Sequence, residues 1–475
     1  MTFNLALSNA ISGMNVATTS IQVRSNKIAN ALNENYARRD VDLASSPLGG
    51  VRVVSISRDT NAFLQRDRLS ADAQSAEAGV RSQALNSINR VFGEPGDDQG
   101  LFATLSRFEV ALDDLATAPE SASYQQAAVT RAQDLSATFN RIGDAVTDIR
   151  TDADRDIAAT VKEVNTALEA LASLNKTAHR DIANGLSDAV EQREALVNTI
   201  GDALDIRVID EGRGQIRILT AEGVTLLNAS GAKPLEFTAG GVVSPEKTLA
   251  GGQLSGLSVN GVTLTPDGGA QAIKTGSLAG LFAVRDDIGV DFGNRIDALA
   301  EDLVSRFSDP AVDPTIPVGG EGLFLSNGTG AGAAARISVN SVVDPKQGGE
   351  LWRIRDGVGA VTPGPSADAG VTTGLQAAID EARVLTTTTD SPSALTLVEA
   401  TAAFSSVIGT EKIAVDSIAA AKAATAQGLR DEELAATGVN TDQELQSLLL
   451  IEQAYAANAR VVQVVSDMMA RLLEI

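Results

Sequence analysis

Apolar residues recur with a strict heptad spacing at both ends of this 475-residue chain. Steps of four and three residues place such side chains along one side of a helix, where they can pack against another helix. The N-terminal row consists of Leu7, Ile11, Met14, Thr18, Ile21, Ser25, Ile28 and Leu32. The C-terminal row consists of Leu448, Ile451, Tyr455, Asn458, Val462, Val465, Met469 and Leu472. The spacing therefore predicts a long helix at each end of the chain.

The C-terminal helix also carries a second apolar row beside the first. Its members are Leu445, Leu449, Val461, Val464 and Met468. Together the two rows make an apolar face that is wider than one partner helix can cover, and such a helix is normally surrounded by others. Two interpretations follow. Either the two ends pair and something outside the chain covers the rest, or both ends pack onto the chain's own helical middle.

Between the ends, the pattern changes twice. Residues 61–200 have helical periodicity, with a break predicted at Asn184-Gly185. Alternating, glycine-rich segments from Asp205 predict β-hairpins, and a helix within "SLAGLFAVRDDIGVDFGNRIDALAEDLVSRF" interrupts them. Further strands are predicted at "ARISVN" and "ELWRIRD", and helices return from about residue 371. The predicted fold class is mainly α with a β-rich insertion (α+β), in an elongated multidomain chain whose terminal helices pair as a coiled coil.

This order of elements predicts three domains. Residues 1–45 and 431–475 would form a terminal coiled-coil domain for assembly. Residues 46–204 and 371–430 would form a helical domain, and residues 205–370 a β-rich outer insertion. A chain of this length can bury a core in each of several domains.

Composition argues against several classes of function. The net charge of −23 disfavours nucleic acid as a partner, and no apolar run is long enough to span a membrane. The chain has no cysteine and one histidine, His179, so no zinc site or nucleophile–base pair can be assembled from them. We interpret the carboxylates of residues 152–156 as a solvated helix face, and the glycines of residues 327–334 as a flexible loop. We therefore expect no enzyme activity, no cofactor and no metal.

The end segments resemble the flagellar rod, hook and hook-associated axial proteins. That family has a small residue followed by Gly-Leu-Asn, then Ser-Asn-Asn-Ile-Ala-Asn, then Pro-Gly-Tyr-x-Arg. Here "SGMN" begins at Ser12, "SNKIAN" at Ser25 and "YAR" at Tyr36, whereas Glu34-Asn35 replaces the usual Pro-Gly. The ending "QAYAANARVVQVVSDMMARLLEI" resembles the C-terminal half of the same signature.

The middle of the chain resembles the branch of this family that lies at the junction of hook and filament. Segments such as "LFATLSRFEVALDDLATAPES" and "AVEQREALVNTIGDALDIRV" carry this likeness, which extends over about residues 1–290 and 395–475. The resemblance implies a structural adaptor without catalysis, exported by the flagellar type III apparatus and located at the hook–filament junction. It implies four kinds of partner: copies of the chain in a ring, the hook protein, a second junction protein on the filament side, and an export chaperone at the C-terminal helix.

We expect the assembly interface to use the large apolar residues of the terminal helices. The expected residues are Leu7, Ile11, Met14, Ile21, Ile28, Leu32, Leu445, Leu448, Leu449, Ile451, Tyr455, Val462, Val465, Met469 and Leu472. Two alternatives remain. One is a hook or rod protein, which shares both end motifs. The other is a glycan-binding or hydrolytic activity in the insertion.

Overall fold

A computed structural model describes residues 2–33, 35–47, 49–93, 96–183, 188–212, 214–266, 271–385 and 394–473. Helices account for most of these residues. They are α1 (Thr2–Ala29), α2 (Ala62–Phe92), α3 (Leu101–Thr117), α4 (Ala122–Ala183), α5 (Asp188–Ala203), α6 (Ser277–Ala283), α7 (Gly289–Phe307), α8 (Ala333–Arg336), α9 (Arg353–Asp356), α10 (Gly370–Asp380), α11 (Leu397–Thr437) and α12 (Thr441–Leu473). Short 3-10 turns cover Ser341–Val343 and Pro345–Gln347. The predicted break at Asn184-Gly185 lies outside the described residues.

The strands of the described chain form four small antiparallel sheets. The first is the hairpin of β1 (Arg39–Ser45) and β2 (Val51–Arg58), which pairs Val41 with Ile56. The second joins β3 (Ile206–Gly212), β4 (Gln215–Thr220), β5 (Thr225–Asn228) and β6 (Gly231–Ala232) in sequence order. The third joins β7 (Leu235–Glu236), β8 (Leu257–Val259) and β9 (Val262–Leu264), and the fourth joins β10 (Phe324–Leu325) and β11 (Ser338–Val339).

This architecture confirms the predicted fold class, mainly helical with a β-containing insertion. The helix predicted between the strands is present as α6, a π-helical turn at Val284–Ile288, and α7. Two local predictions are wrong. "ELWRIRD" turns into the short helix α9 instead of a strand, and only Ser338–Val339 of "ARISVN" pairs, since Ala333–Arg336 is helical. Both segments are too short for periodicity to separate helix from strand.

The chain divides into two compact units. The first unit comprises Met1–Ala73, Thr166–Lys233 and Ala423–Ile475, and the second comprises Gln74–Asn165 and Pro234–Lys422. The first unit thus contains the segments at both ends of the chain together with β3–β6. The predicted division into three domains stays a prediction.

The main hydrophobic cluster belongs to the second unit, and α3 shows how the sequence builds it. Leucines and a phenylalanine at steps of four and three residues line the buried side of α3, and each is at most 2 % exposed: Leu101, Leu105, Phe108, Leu112 and Leu115. The Phe108 ring packs against the rings of Phe307 and Phe324, with centroids 5.7 and 5.6 Å apart. This ring cluster ties α3 to α7 and β10, which are about 200 residues later in the chain.

One prediction about the carboxylates on α4 needs correction. Asp152 and Arg155 form an exposed ion pair, as expected of a solvated helix face. Asp154, however, is 1 % exposed and accepts a hydrogen bond from Nη1 of the fully buried Arg285 at 2.7 Å. Arg285 also pairs with Asp286 and stacks over the Phe282 ring. Asp152 and Asp154 are about 200° apart around the helix, so the two carboxylates face different surroundings. The buried one is retained because a guanidinium pairs with it.

A core substitution tests whether the leucine and phenylalanine side of α3 is buried in the main hydrophobic cluster. We expect Phe108→Ala to lower the free energy of unfolding of the second unit by about 3–5 kcal/mol, because it leaves a cavity between three packed rings. The matched control is Val110→Ala on the same helix, where the side chain is 58 % exposed and the loss should stay below about 0.5 kcal/mol. Urea unfolding followed by circular dichroism measures both variants. Equal losses in the two would contradict the assignment.

Candidate assembly interface at the paired terminal helices

The two terminal helices pair antiparallel within the first unit. Near the start of α1, Gly13 faces Asn458; a Cβ placed on Gly13 would lie 2.7 Å from Asn458 Nδ2. Near the end of α1, Lys27 Nζ donates to Glu444 Oε1 at 2.9 Å. Since residue numbers rise along α1 as they fall along α12, the helices run in opposite directions. This confirms the predicted pairing of the two ends.

Lys27 and Glu444 form a buried ionic cluster at one end of the helix pair. Lys27 is 1 % exposed and Glu444 is 7 % exposed. Arg24, one turn earlier on α1, also donates to Glu444, and Lys27 donates to Asp40 on β1 at 2.8 Å. The cluster therefore connects α1, α12 and the hairpin. Lys27 stands where the resembling family has the second asparagine of Ser-Asn-Asn, so the ion pair is a feature of this chain's own sequence.

Ser12 attaches the tip of the β1–β2 hairpin to α1. Its Oγ accepts a hydrogen bond from Val51 N at 3.2 Å and donates to Asn9 O at 2.8 Å. Gly50 has φ +85°, and a Cβ there would lie 2.3 Å from Ser12 Oγ. Only glycine accommodates both the backbone conformation and this close approach. Ser12 thus contacts the hairpin, and its neighbour Gly13 contacts α12.

The "YAR" motif connects the N-terminal segment to the end of α11. Tyr36 and Ala37 are each 5 % exposed. Arg38 N donates to Thr437 O at 2.8 Å, and Asp59 N donates to Arg38 O at 2.9 Å. The backbone of this motif therefore bonds both to the residue that ends α11 and to the residue that follows β2.

A polar cavity of about 300 Å³ lies beside this motif in the first unit. Charged side chains that line the cavity form ion pairs with one another. Arg68 bonds to Asp72 and Glu433, and Arg58 bonds to Glu194. Burial raises the pKa of the Tyr36 hydroxyl, which lines the same cavity. These ion pairs join α2 to α11 and β2 to α5. They include no nucleophile–base pair.

The structure places the predicted interface residues in three groups. Those half-buried along the pair are Leu7, Met14, Ile21, Ile28, Leu448, Ile451 and Val462, and Val465 is 5 % exposed. Those exposed are Ile11, Leu32, Leu445, Leu449, Tyr455 and Met469. Leu32 lies beyond the end of α1 and is 99 % exposed. The side chain of Leu472 lies outside the described residues. The role of all these residues in assembly stays a prediction.

A second heptad stripe on α12 faces away from α1. Leu450, Ala454, Ala457, Val461, Val464 and Met468 follow each other at steps of four and three residues, and all are exposed. Its large members, which we call the outer stripe, are Leu450, Val461, Val464 and Met468, exposed by 66, 43, 51 and 43 %. The predicted interface set omitted all four. Three of them, Val461, Val464 and Met468, belong to the second apolar row identified from the sequence, and a heptad count started at Leu450 adds the fourth.

The described residues contain no group of three or more His, Asp or Glu side chains that could hold a metal ion. None of the described helices is long and apolar enough to cross a bilayer. The side chain of His179 lies outside the described residues.

Two models of known protein families match parts of this chain. A model of the helical domain of the flagellar hook-associated protein FlgK matches residues 85–310. A second model, of the C-terminal region of the flagellar basal body rod proteins FlgEFG, matches residues 432–475, which include most of α12.

Several characterised relatives carry the name flagellar hook-associated protein 1. Those of Salmonella typhimurium and Escherichia coli are each 25 % identical over 281 residues, which is 53 % of this chain and 50 and 51 % of the relatives. That of Bacillus subtilis is 23 % identical over 393 residues, which is 72 % of this chain and 75 % of the relative. The chain thus matches about half the length of the enterobacterial relatives. The solved structure of the flagellar hook junction protein FlgK from Burkholderia pseudomallei is 20 % identical, with a TM-score of 0.44, over 55 % of this chain and 46 % of that one.

The match at α12 makes this helix similar to the C-terminal region of flagellar axial proteins, here the rod proteins. The match of the helical middle is more specific, because it is to one kind of axial protein, the hook-associated protein FlgK. The chain is similar to flagellar hook-associated proteins of the FlgK type over residues 85–310, and the relatives of 23–25 % identity carry the same name.

The close approach at Gly13 can be tested by adding one methyl group. Gly13→Ala should displace the Asn458 amide, whose Nδ2 donates to Ala454 O, and so raise hydrogen exchange along α1. Gly79→Ala on α2 is the control, since a Cβ there meets nothing within 4 Å and should stabilise its helix by about 0.5–1 kcal/mol. Adding Asn458→Ala to Gly13→Ala should restore protection, because the clash is removed. If Gly13→Ala alone protects α1 more strongly than glycine, the helices do not approach closely at this point.

The Lys27–Asp40 contact predicts a pH dependence. The hydrogen bond from Lys27 lowers the pKa of Asp40 below its ordinary value, so the unfolded chain binds that proton more tightly than the folded one. The contact therefore stabilises the first unit at neutral pH, and this contribution is lost as pH falls through the lowered pKa.

Denaturant unfolding at a series of pH values measures this effect. We expect Asp40→Asn to lose less than about 1 kcal/mol at neutral pH, because the Asp40 side chain is 58 % exposed, and the difference from the unsubstituted protein should vanish in acid. The control is Asp42→Asn on the same strand, whose carboxylate bonds to Ser55 instead. A difference for Asp40→Asn that grows on acidification would contradict the prediction.

Proposed function

We propose that this chain is a structural adaptor that joins the flagellar hook to the filament and assembles as a ring of subunits. The observation that carries the proposal is the outer stripe of α12. The inner side of α12 is already occupied by α1, so the outer stripe is free to contact a neighbouring subunit. Similarity to the hook-associated proteins supports this cellular context.

The outer stripe has the chemistry of a protein–protein contact. Covering a large aliphatic side chain removes it from water at a gain of about 1.5–3 kcal/mol when burial is complete. Its heptad spacing suits a second helix, which can place its own side chains between those of the stripe. The net charge of −23 also makes free copies of the chain repel each other at low concentration. Contact between their α12 helices therefore requires that assembly brings the subunits together.

The proposed partners follow from this position. Copies of the chain would contact each other around the ring. On one side the ring would contact the hook protein, and on the filament side it would contact a second junction protein. Before assembly, an export chaperone would cover the C-terminal helix, and the flagellar type III apparatus would deliver the chain. No catalysis is part of this proposal.

A hook or rod protein is the second candidate, because the match at residues 432–475 is to rod proteins. The long helices α2 to α5 favour the junction role, since much of this region matches the helical domain of the hook-associated protein.

A strain that lacks this gene provides the test, with variants returned on a plasmid. We expect the strain to make hooks without filaments and to shed flagellin into the medium, as seen by electron microscopy and immunoblotting. The unsubstituted gene should restore filaments. Leu449→Asp and Val464→Asp should fail to do so, because each puts a charge on an exposed apolar position of α12.

The matched control is Gln453→Asp, which places the same charge on an exposed polar position of α12. It should restore filaments. Circular dichroism of the purified variants should show an unchanged melting transition. Filaments of normal number and length in the deletion strain would overturn the junction role, and full rescue by both aspartate variants would overturn the role of the exposed α12 face.

A further inference from the structure

The pairing of α1 with α12 raises a question of register. Both helices repeat every seven residues, and α1 buries small side chains at that interval, as at Ala10 and Ala17. A shift of one helix by seven residues would place similar side chains opposite each other and would still cover apolar surface. Apolar packing alone therefore selects weakly among registers that differ by one heptad.

Two contacts distinguish between these registers. They are the approach of Asn458 to Gly13 and the ion pair of Lys27 with Glu444. Fourteen residues separate Gly13 from Lys27, and fourteen also separate Glu444 from Asn458. The two contacts are thus two heptads apart on both helices, and one register satisfies both at once.

A shift by one heptad breaks both contacts. Lys27 would lie opposite Ile451 in one direction or Thr437 in the other and would keep only Asp40, while the buried carboxylate of Glu444 would lose its Lys27 partner. Gly13 would lie opposite Val465 or Ile451. Burying an unpaired charge is far costlier than losing one apolar contact, so the shifted registers are penalised.

We propose that Lys27–Glu444 and Gly13–Asn458 are register-determining contacts, with the buried ion pair as the stronger of the two. They fix the position of α12 along α1. They therefore also fix where the residues of the outer stripe lie relative to α1. The inference concerns the isolated chain and does not rest on the proposed function.

Cross-linking between introduced cysteines tests the proposal, since the natural chain has none. Ser20 and Ile451 each lie seven residues from both contacts, so Ser20→Cys with Ile451→Cys reports the observed register. Val16→Cys with Val462→Cys, or with Leu448→Cys, reports a shift of seven residues in one direction or the other. In the observed register these two pairs are offset by about 10 Å along the helices, too far for a disulfide.

The full-length chain is oxidised with and without Lys27→Met plus Glu444→Leu, which replaces the ion pair by apolar side chains. We expect the substitution to lower the yield of the Ser20–Ile451 cross-link several-fold and to produce the shifted cross-links. The control is Arg131→Met plus Asp134→Leu, an exposed ion pair on α4, which should leave all yields unchanged.

Circular dichroism checks that helix content is retained. An undiminished Ser20–Ile451 cross-link in the substituted protein would overturn the proposal, because the register would then be set by apolar packing. Loss of every cross-link with retained helix content would also overturn it. The ion pair would then hold the helices together without selecting their register.

Discussion

The antiparallel contact between α1 and α12 is the constraint on which the first unit depends. It joins segments that are more than 400 residues apart in sequence, and its buried Lys27–Glu444 pair lies where the hairpin also attaches through Asp40. A charge at 1 % exposure needs partners, and Lys27 finds one on α12 and one on the hairpin. The position of the exposed face of α12 follows from this antiparallel contact.

The family motifs of the N-terminal segment have direct physical roles in this arrangement. Ser12 holds the hairpin by accepting from Val51 N, and Gly13 lets Asn458 approach α1. The backbone of Arg38 bonds to Thr437 at the end of α11. Each motif therefore occupies a place where two chain segments meet.

The two units are stabilised in different ways. The second unit contains the main apolar cluster, with phenylalanine rings in edge-on contact at Phe108, Phe307 and Phe324. In the first unit, ion pairs such as Arg68–Glu433 and Arg39–Glu191 join segments that are distant in sequence. Their side chains are at most 20 % exposed, so both pairs are largely shielded from water.

The sequence alone predicts the terminal helices, the helical middle, the start of the β-hairpins near Asp205 and the resemblance to flagellar axial proteins, because periodicity and local motifs depend on consecutive residues. It did not determine which side of each helix faces its partner. Ile11 and Met14 belong to one heptad row, yet Ile11 is exposed and Met14 half-buried. It also missed the burial of Asp154, whose partner Arg285 comes 131 residues later. Only the tertiary structure decided these points, because burial of a charge or of one helix face depends on which distant segment packs there.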